Sequence, residues 1–250
     1  MEQNGNRTEF LENVRRALGR TAPAAEVEVP DATALSDDRN VVDRRVEAIG
    51  QDINSRADEL IEELVVSAEA AGWIVRRAGS SDAAAYIRQV AETLESTSVL
   101  RSDHAVLDEI GLEAALEGTA IGLQRITHDE SGPSRDVQRA KFREDMIVAD
   151  IGVTGVSHAI AETGSVSIAA GRGVSRLISL LPPVHIAVVR RDQIVPSLDE
   201  LFSLRRSEFL ENGSLDYTNI ISGPSRSADI EQTLIKGMHG PREVHMVILE

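Results

Sequence analysis

The chain has 250 residues, no cysteine and only 3% aromatic residues, with a formal net charge of −15 and a pI near 4.9. The length suits one large domain, or one domain with a small arm, and the 42% hydrophobic content is ordinary for a globular protein with an aliphatic core. The charge disfavours nucleic acid, and the missing thiols exclude disulfides, cysteine-held iron–sulfur clusters, cysteine zinc sites and a cysteine nucleophile.

In chain order, MEQNGNRTEF lacks the basic start and apolar run of a signal peptide, and no apolar run reaches a membrane span. The expectation is a soluble, cytoplasmic protein. Residues 8–19 read as an amphipathic helix with Phe10, Leu11, Val14 and Leu18 on one face, capped by Thr8 and stopped by Gly19. Residues 20–40 have no periodicity and read as a linker or arm, so the domains are drawn as 1–40 and 41–250. A long helix is predicted over 41–71, from Val42, Val46, Ile49, Ile53, Leu60, Ile61, Leu64 and Val65. Its apolar stripe and the N-terminal arm are compatible with a homodimer.

From Trp73 onward, short β-rich runs alternate with helical ones. Strands are predicted at 73–77, 97–101, 120–125, 146–155, 165–170, 184–189, 217–222 and 244–249. Helices are predicted at 81–95, 134–144, 197–210 and 227–236. This alternation implies an α/β fold with a mostly parallel sheet flanked by helices. The runs IAVV and MVIL are apolar throughout, as in strands buried on both faces.

Open α/β sheets bind ligands beyond the carboxyl ends of their strands, so the glycine-bearing turns mark the candidate site. GVTGVSHAIAETGSV (152–166) supplies Thr154, Gly155, Thr163 and Gly164, with Glu162 as a carboxylate in an otherwise small, hydroxyl-rich stretch. ISGPSRSADIE (221–231) supplies Gly223, Ser225, Arg226 and Asp229. Read as a turn opening a helix, it offers free N–H groups and a guanidinium to an anion. KGMHGPRE (236–243) places His239 between Gly237 and Gly240, where an imidazole can titrate near neutrality. GRGVSRLISLLPPVHIAVV (171–189) adds Arg172, Arg176 and His185.

The bland readings are equally concrete. Glycine turns are common in α/β folds, His185 and His245 sit in apolar strands, Glu162 can pair with an arginine, and the cations of helix 134–144 suit a solvated face. The glycine spacing matches neither a dinucleotide fingerprint nor a phosphate loop. GVSH is not a hydrolase elbow, and no His/Asp/Glu spacing suggests a metal.

VTGVSHAIAETGSV, LPPVHIAVV, ISGPSRSADIE and KGMHGPREVHMVIL, in that order, resemble the lactate-utilisation (LUD) domain family. The likeness spans about residues 40–250. The chain is short and lacks the cysteine-rich ferredoxin part of the family's larger B component, so it is more similar to the family's C component. The family's motif residues fall on Thr154, Gly155, Ile160, Ala161, Glu162, Thr163 and Gly164, then on Pro182 and His185. They continue at Gly223, Pro224, Ser225, Arg226, Asp229 and Ile230, then at Gly237, His239, Gly240 and Pro241. The resemblance implies a fold like ribose-phosphate isomerase, glucosamine-phosphate deaminase and CoA transferases. It also implies a role in oxidising L-lactate to pyruvate beside two cysteine-rich iron–sulfur partner proteins, with no cofactor in this chain.

Three functions follow. The first is an accessory subunit holding a small carboxylate or phosphate in a pocket at the carboxyl edge of the sheet. The second is a stand-alone enzyme on a phosphorylated or acyl-CoA substrate, with Glu162 as base or nucleophile, His239 as acid/base and Arg226 as anion clamp. The third is a non-catalytic assembly or regulatory module.

Overall fold

The structure is a computed structural model that describes residues 13, 14, 16, 17, 36, 38–170, 176–228 and 234–250. The chain divides into two units, residues 1–32 and 33–250. In the first, Asn13, Val14, Arg16 and Ala17 are helical, within the predicted helix 8–19. The remaining residues of that helix lie outside the described residues.

The second unit begins with two helices where the periodicity predicts one. These are α1, Arg39–Ser55, and α2, Ala57–Ala71. Between them Arg56 leaves helical geometry, at φ −116° and ψ 18°. The Asp38 side chain caps α1 by accepting from the Asn40 amide at 2.9 Å. Leu60, Ile61, Leu64 and Ala68 form the buried stripe of α2, which ends at the left-handed Gly72.

Six strands make the main sheet: β1 (Ile74–Ala78), β2 (Ser98–Ser102), β3 (Gly122–Ile126), β4 (Ile151–Gly155), β7 (Val184–Arg190) and β12 (Glu243–Leu249). Their spatial order is β1-β12-β7-β4-β2-β3, and every pairing is parallel. The connections carry α3 (Ser80–Thr93), the short α4 (Ala105–Glu109) and α5 (Leu112–Leu116), and α6 (Arg135–Val148). A second sheet, ordered β8-β5-β6-β9, is built from β5 (His158–Ile160), β6 (Ser165–Ala170), β8 (Ile194–Val195) and β9 (Tyr217–Ile221). The helix α7, Leu198–Asn212, lies between β8 and β9 in the chain.

Period-2 alternation sorts each main strand onto two cores. Val184, Ile186 and Val188 of β7 join Val247 and Leu249 of β12 beneath α3, α4 and α5. Ala187 and Val189 join Val244, Met246 and Ile248 in a cluster with α2 and the second sheet. Both strands are therefore buried on both faces, as their unbroken apolar runs imply.

Two more predicted elements are corrected. Residues 146–148 finish α6, so the strand expected over 146–155 is confined to Ile151–Gly155. The break lies at Ala149–Asp150. There the Asp150 carboxylate accepts from the Thr97 and Ser98 amides at 2.8 and 3.0 Å, and from both hydroxyls. The helix expected over 227–236 is not found among the described residues of that span. Arg226–Ala228 (β10) and Leu234–Lys236 (β11) instead pair as antiparallel strands.

Candidate functional site

Direction along the sheet decides where the predicted residues fall. Thr154 and Gly155 stand at the carboxyl end of β4. Beyond them the chain reverses at Val156–Ser157, and β5 runs back beside β8 toward the amino edge. The helix α2 fixes this orientation. Arg191, just past the carboxyl end of β7, pairs with Asp58 at the start of α2 at 2.8 Å. The turn Ala161–Gly164 instead lies against Ser67 and Ala68, near the end of α2.

The other two motifs arrive at the same rim. The Arg226 guanidinium donates to the Ala71 carbonyl at 2.8 Å, and the Arg242 amide donates to Pro183, directly ahead of β7, at 2.9 Å. Glu162, Thr163, Gly164, Gly223, Ser225, Arg226, His239 and Gly240 therefore gather around the C-terminus of α2, at the amino edge of the main sheet. The carboxyl-edge expectation fails for these residues because a hairpin folds the β4 motif backward.

Hydroxyls stitch the rim together. Thr163 Oγ1 donates to Ser165 Oγ at 2.9 Å, which lies 2.7 Å from Ser222 Oγ. The Ser225 amide donates to Pro241 O at 2.8 Å, and the His239 amide to Ser225 Oγ at 3.1 Å. Arg226 has a structural duty, because a cation at a helix C-terminus satisfies a free carbonyl and complements the dipole. Without a helix after Ser225, the expected anion cradle of free N–H groups is not formed; Asp229 and Arg172 lie outside the described residues. Glu162 and His239 are exposed, so the rim presents a carboxylate and an imidazole on an open surface.

His185, the second residue of the central strand β7, is not on the exposed rim but fully buried inside the sheet. Its Nε2 is 2.9 Å from Thr154 Oγ1, and its ring stands 6.2 Å from that of Trp73. Burial, helped by the nearby His245, pushes its pKa down to about 3, so the ring is neutral and shielded from solvent. His245 lies between Tyr86 Oη and Glu243 Oε1, 2.8 Å from each. Burial lowers its pKa against the opposing pull of Glu243.

The carboxyl edge holds charged groups that the sequence reading passed over. Arg101 of β2 is fully buried and reaches Asp108 of α4 at 2.5 Å and Glu113 of α5 at 2.6 Å. Arg125 of β3 pairs with Asp103 and lies 3.4 Å from Asp108, and Arg190 pairs with Glu109. The His104 ring fills the space in front of Gly155, where an added Cβ would come within 2.3 Å of Nδ1. Burial and Arg190 lower the His104 pKa, while Glu109 opposes them. The legible signal was an arginine in the apolar run TSVLR, since a charge seldom enters a buried strand without partners. Among the described residues, no group of three His, Asp or Glu side chains is placed to hold a metal ion. Nor is any helix there long and apolar enough to cross a membrane.

Comparison with known proteins agrees with this architecture. The family model of the LUD domain matches residues 61–249. Lactate utilization protein C of Halalkalibacterium halodurans is 29% identical, over 98% of this chain and 97% of that protein. Lactate utilization protein B of Shouchella clausii is 27% identical over 77% of this chain, and the match spans 48% of its own length. A crystal structure of a DUF162 family protein from Deinococcus radiodurans shares the fold. Its TM-score is 0.51 at 20% identity, covering 78% of this chain and 98% of that one.

Proposed function

This chain belongs to the LUD domain family, and from that premise we propose that it is an accessory, non-redox component of an L-lactate-oxidising system. Its partners carry the iron–sulfur centres, and its amino-edge rim meets those partners or a small carboxylate. One observation carries the reading: the match to a lactate utilization protein C runs almost end to end in both chains. Converting lactate to pyruvate releases two electrons and two protons. A chain without cysteine offers no thiolate to hold a cluster that would accept those electrons.

The geometry favours this role over a stand-alone enzyme. Arg226 is engaged with a helix end instead of facing a ligand, and Glu162 and His239 are open to solvent. A catalytic carboxylate gains its power from a dry, preorganised surrounding, which an open rim does not provide.

The test is reconstitution with cysteine-rich iron–sulfur partner proteins, followed by lactate-dependent reduction of an acceptor dye. Activity should appear only when this chain is present, and the chain alone should be inert. Undiminished activity without it, or turnover by the isolated chain, would refute the assignment.

A further inference from the structure

Among the described residues the main sheet ends on β3, whose only hydrogen-bonded neighbour there is β2. Its outer backbone groups are the kind that another chain can complete by adding a strand. The opposite edge is guarded by charge: β1 carries Arg76 and Arg77, and Arg77 is bound to both Glu62 and Glu250. By contrast, β3 has one charged side chain, Arg125, and its guanidinium is drawn aside to Asp103.

Beside this edge lies a groove of about 680 Å³ between α5 and β3. Leu116, Ile121 and Leu123 give it an apolar floor, with Glu113, Glu117 and Arg125 at its sides. Leu116 and Ile121 belong to the buried core, and Leu123 packs against it half-buried, so the floor is rigid. Its free charge is negative. Arg125 is neutralised by Asp103, Glu113 shares an oxygen with buried Arg101, and exposed Glu117 has no ion-pair partner among the described residues. The whole chain adds a net charge of −15.

We propose that this groove and the free edge of β3 form a docking site for an extended, basic segment of a partner protein. The segment adds to β3 as a seventh strand. Alternate apolar side chains rest on Leu116, Ile121 and Leu123, and its lysines or arginines face Glu117. Main-chain hydrogen bonds provide the grip, and the apolar floor and acidic side select the sequence. This proposal is independent of the lactate assignment.

The test is an amide-resolved NMR titration of the full chain with ten-residue peptides that alternate lysine with valine or isoleucine. The counterpart set replaces lysine with glutamate. The basic peptides should shift resonances within residues 112–126 saturably, and the acidic ones should leave them unmoved. Glu117→Lys, an exposed change that leaves the core intact, should weaken basic-peptide binding at least about fivefold. Leu123→Asp should abolish it. No shift in that segment at millimolar basic peptide, or equal shifts from both sets, would overturn the proposal.

Discussion

Replacing Gly164 with alanine separates packing from ligand binding at the rim. Gly164 has φ +63°, and a Cβ there would lie 2.3 Å from the Ala68 amide nitrogen and 2.4 Å from the Ser67 carbonyl carbon. Both atoms are helix backbone and cannot swing aside as a side-chain tip can. The left-handed conformation costs a non-glycine residue about 1–3 kcal/mol. Forcing the hairpin away from α2 adds about 1–3 kcal/mol more, as overpacking does elsewhere. The sum, roughly 2–6 kcal/mol, is a large share of the about 5–15 kcal/mol that holds a domain together. At about 2–4 °C per kcal/mol, Tm should fall by roughly 4–24 °C.

Trp73 is the only tryptophan, and it is buried in the same cluster as Ala68 and Ala161. Urea unfolding followed by its fluorescence therefore reads the affected region directly. A Gly164→Ala protein within about 0.5 kcal/mol of the parent would refute the packing argument and return the glycine to a ligand role.

Two further outcomes follow from the same geometry. Arg226→Ala removes the hydrogen bond to the Ala71 carbonyl at an exposed site, so it should cost about 1 kcal/mol in urea unfolding. Arg226→Lys should recover part of that loss, and full stability in the alanine variant would contradict the capping role. The His185 pKa lies at about 3 in the folded protein, below its ordinary value, so the unfolded chain binds the extra proton first. Stability from this residue is present above about pH 6.5 and falls as pH drops toward 3, by about 1.4 kcal/mol per unit for one proton. His185→Gln should flatten that acid limb in unfolding measured from pH 7 to pH 4. An unchanged slope would show that the ring protonates in place.

The sequence exposes the fold far better than the site. The β12 and β7 runs advertise burial on both faces because nothing polar interrupts them except His245 and His185, each supplied with a hydrogen-bond partner. The stretch 227–236 misleads because Ser225, Ser227 and Asp229 look like a helix start. There the pairing of Arg226–Ala228 with Leu234–Lys236 overrides the local preference. Asp150 hides the end of α6 for a similar reason: its partners, Thr97 and Ser98, are some fifty positions away. The rim residues were identifiable as a set, but not the edge they occupy. That edge depends on a chain reversal at Val156–Ser157, whose cause is β5 pairing with β6 and β8. The Arg101, Asp108 and Glu113 cluster stayed hidden because β2, α4 and α5 must dock before the three meet.

The end of α2 is where three distant stretches of chain come to rest: the turn before Ser165, the segment after β9 and the approach to β12. Anything that recognises this place reads a composite surface that exists only when the whole domain is assembled. A short synthetic copy of any one stretch would be a poor competitor for it. Loosening the last turn of that helix would erase all three stretches at once, so recognition here doubles as a check that the domain has folded.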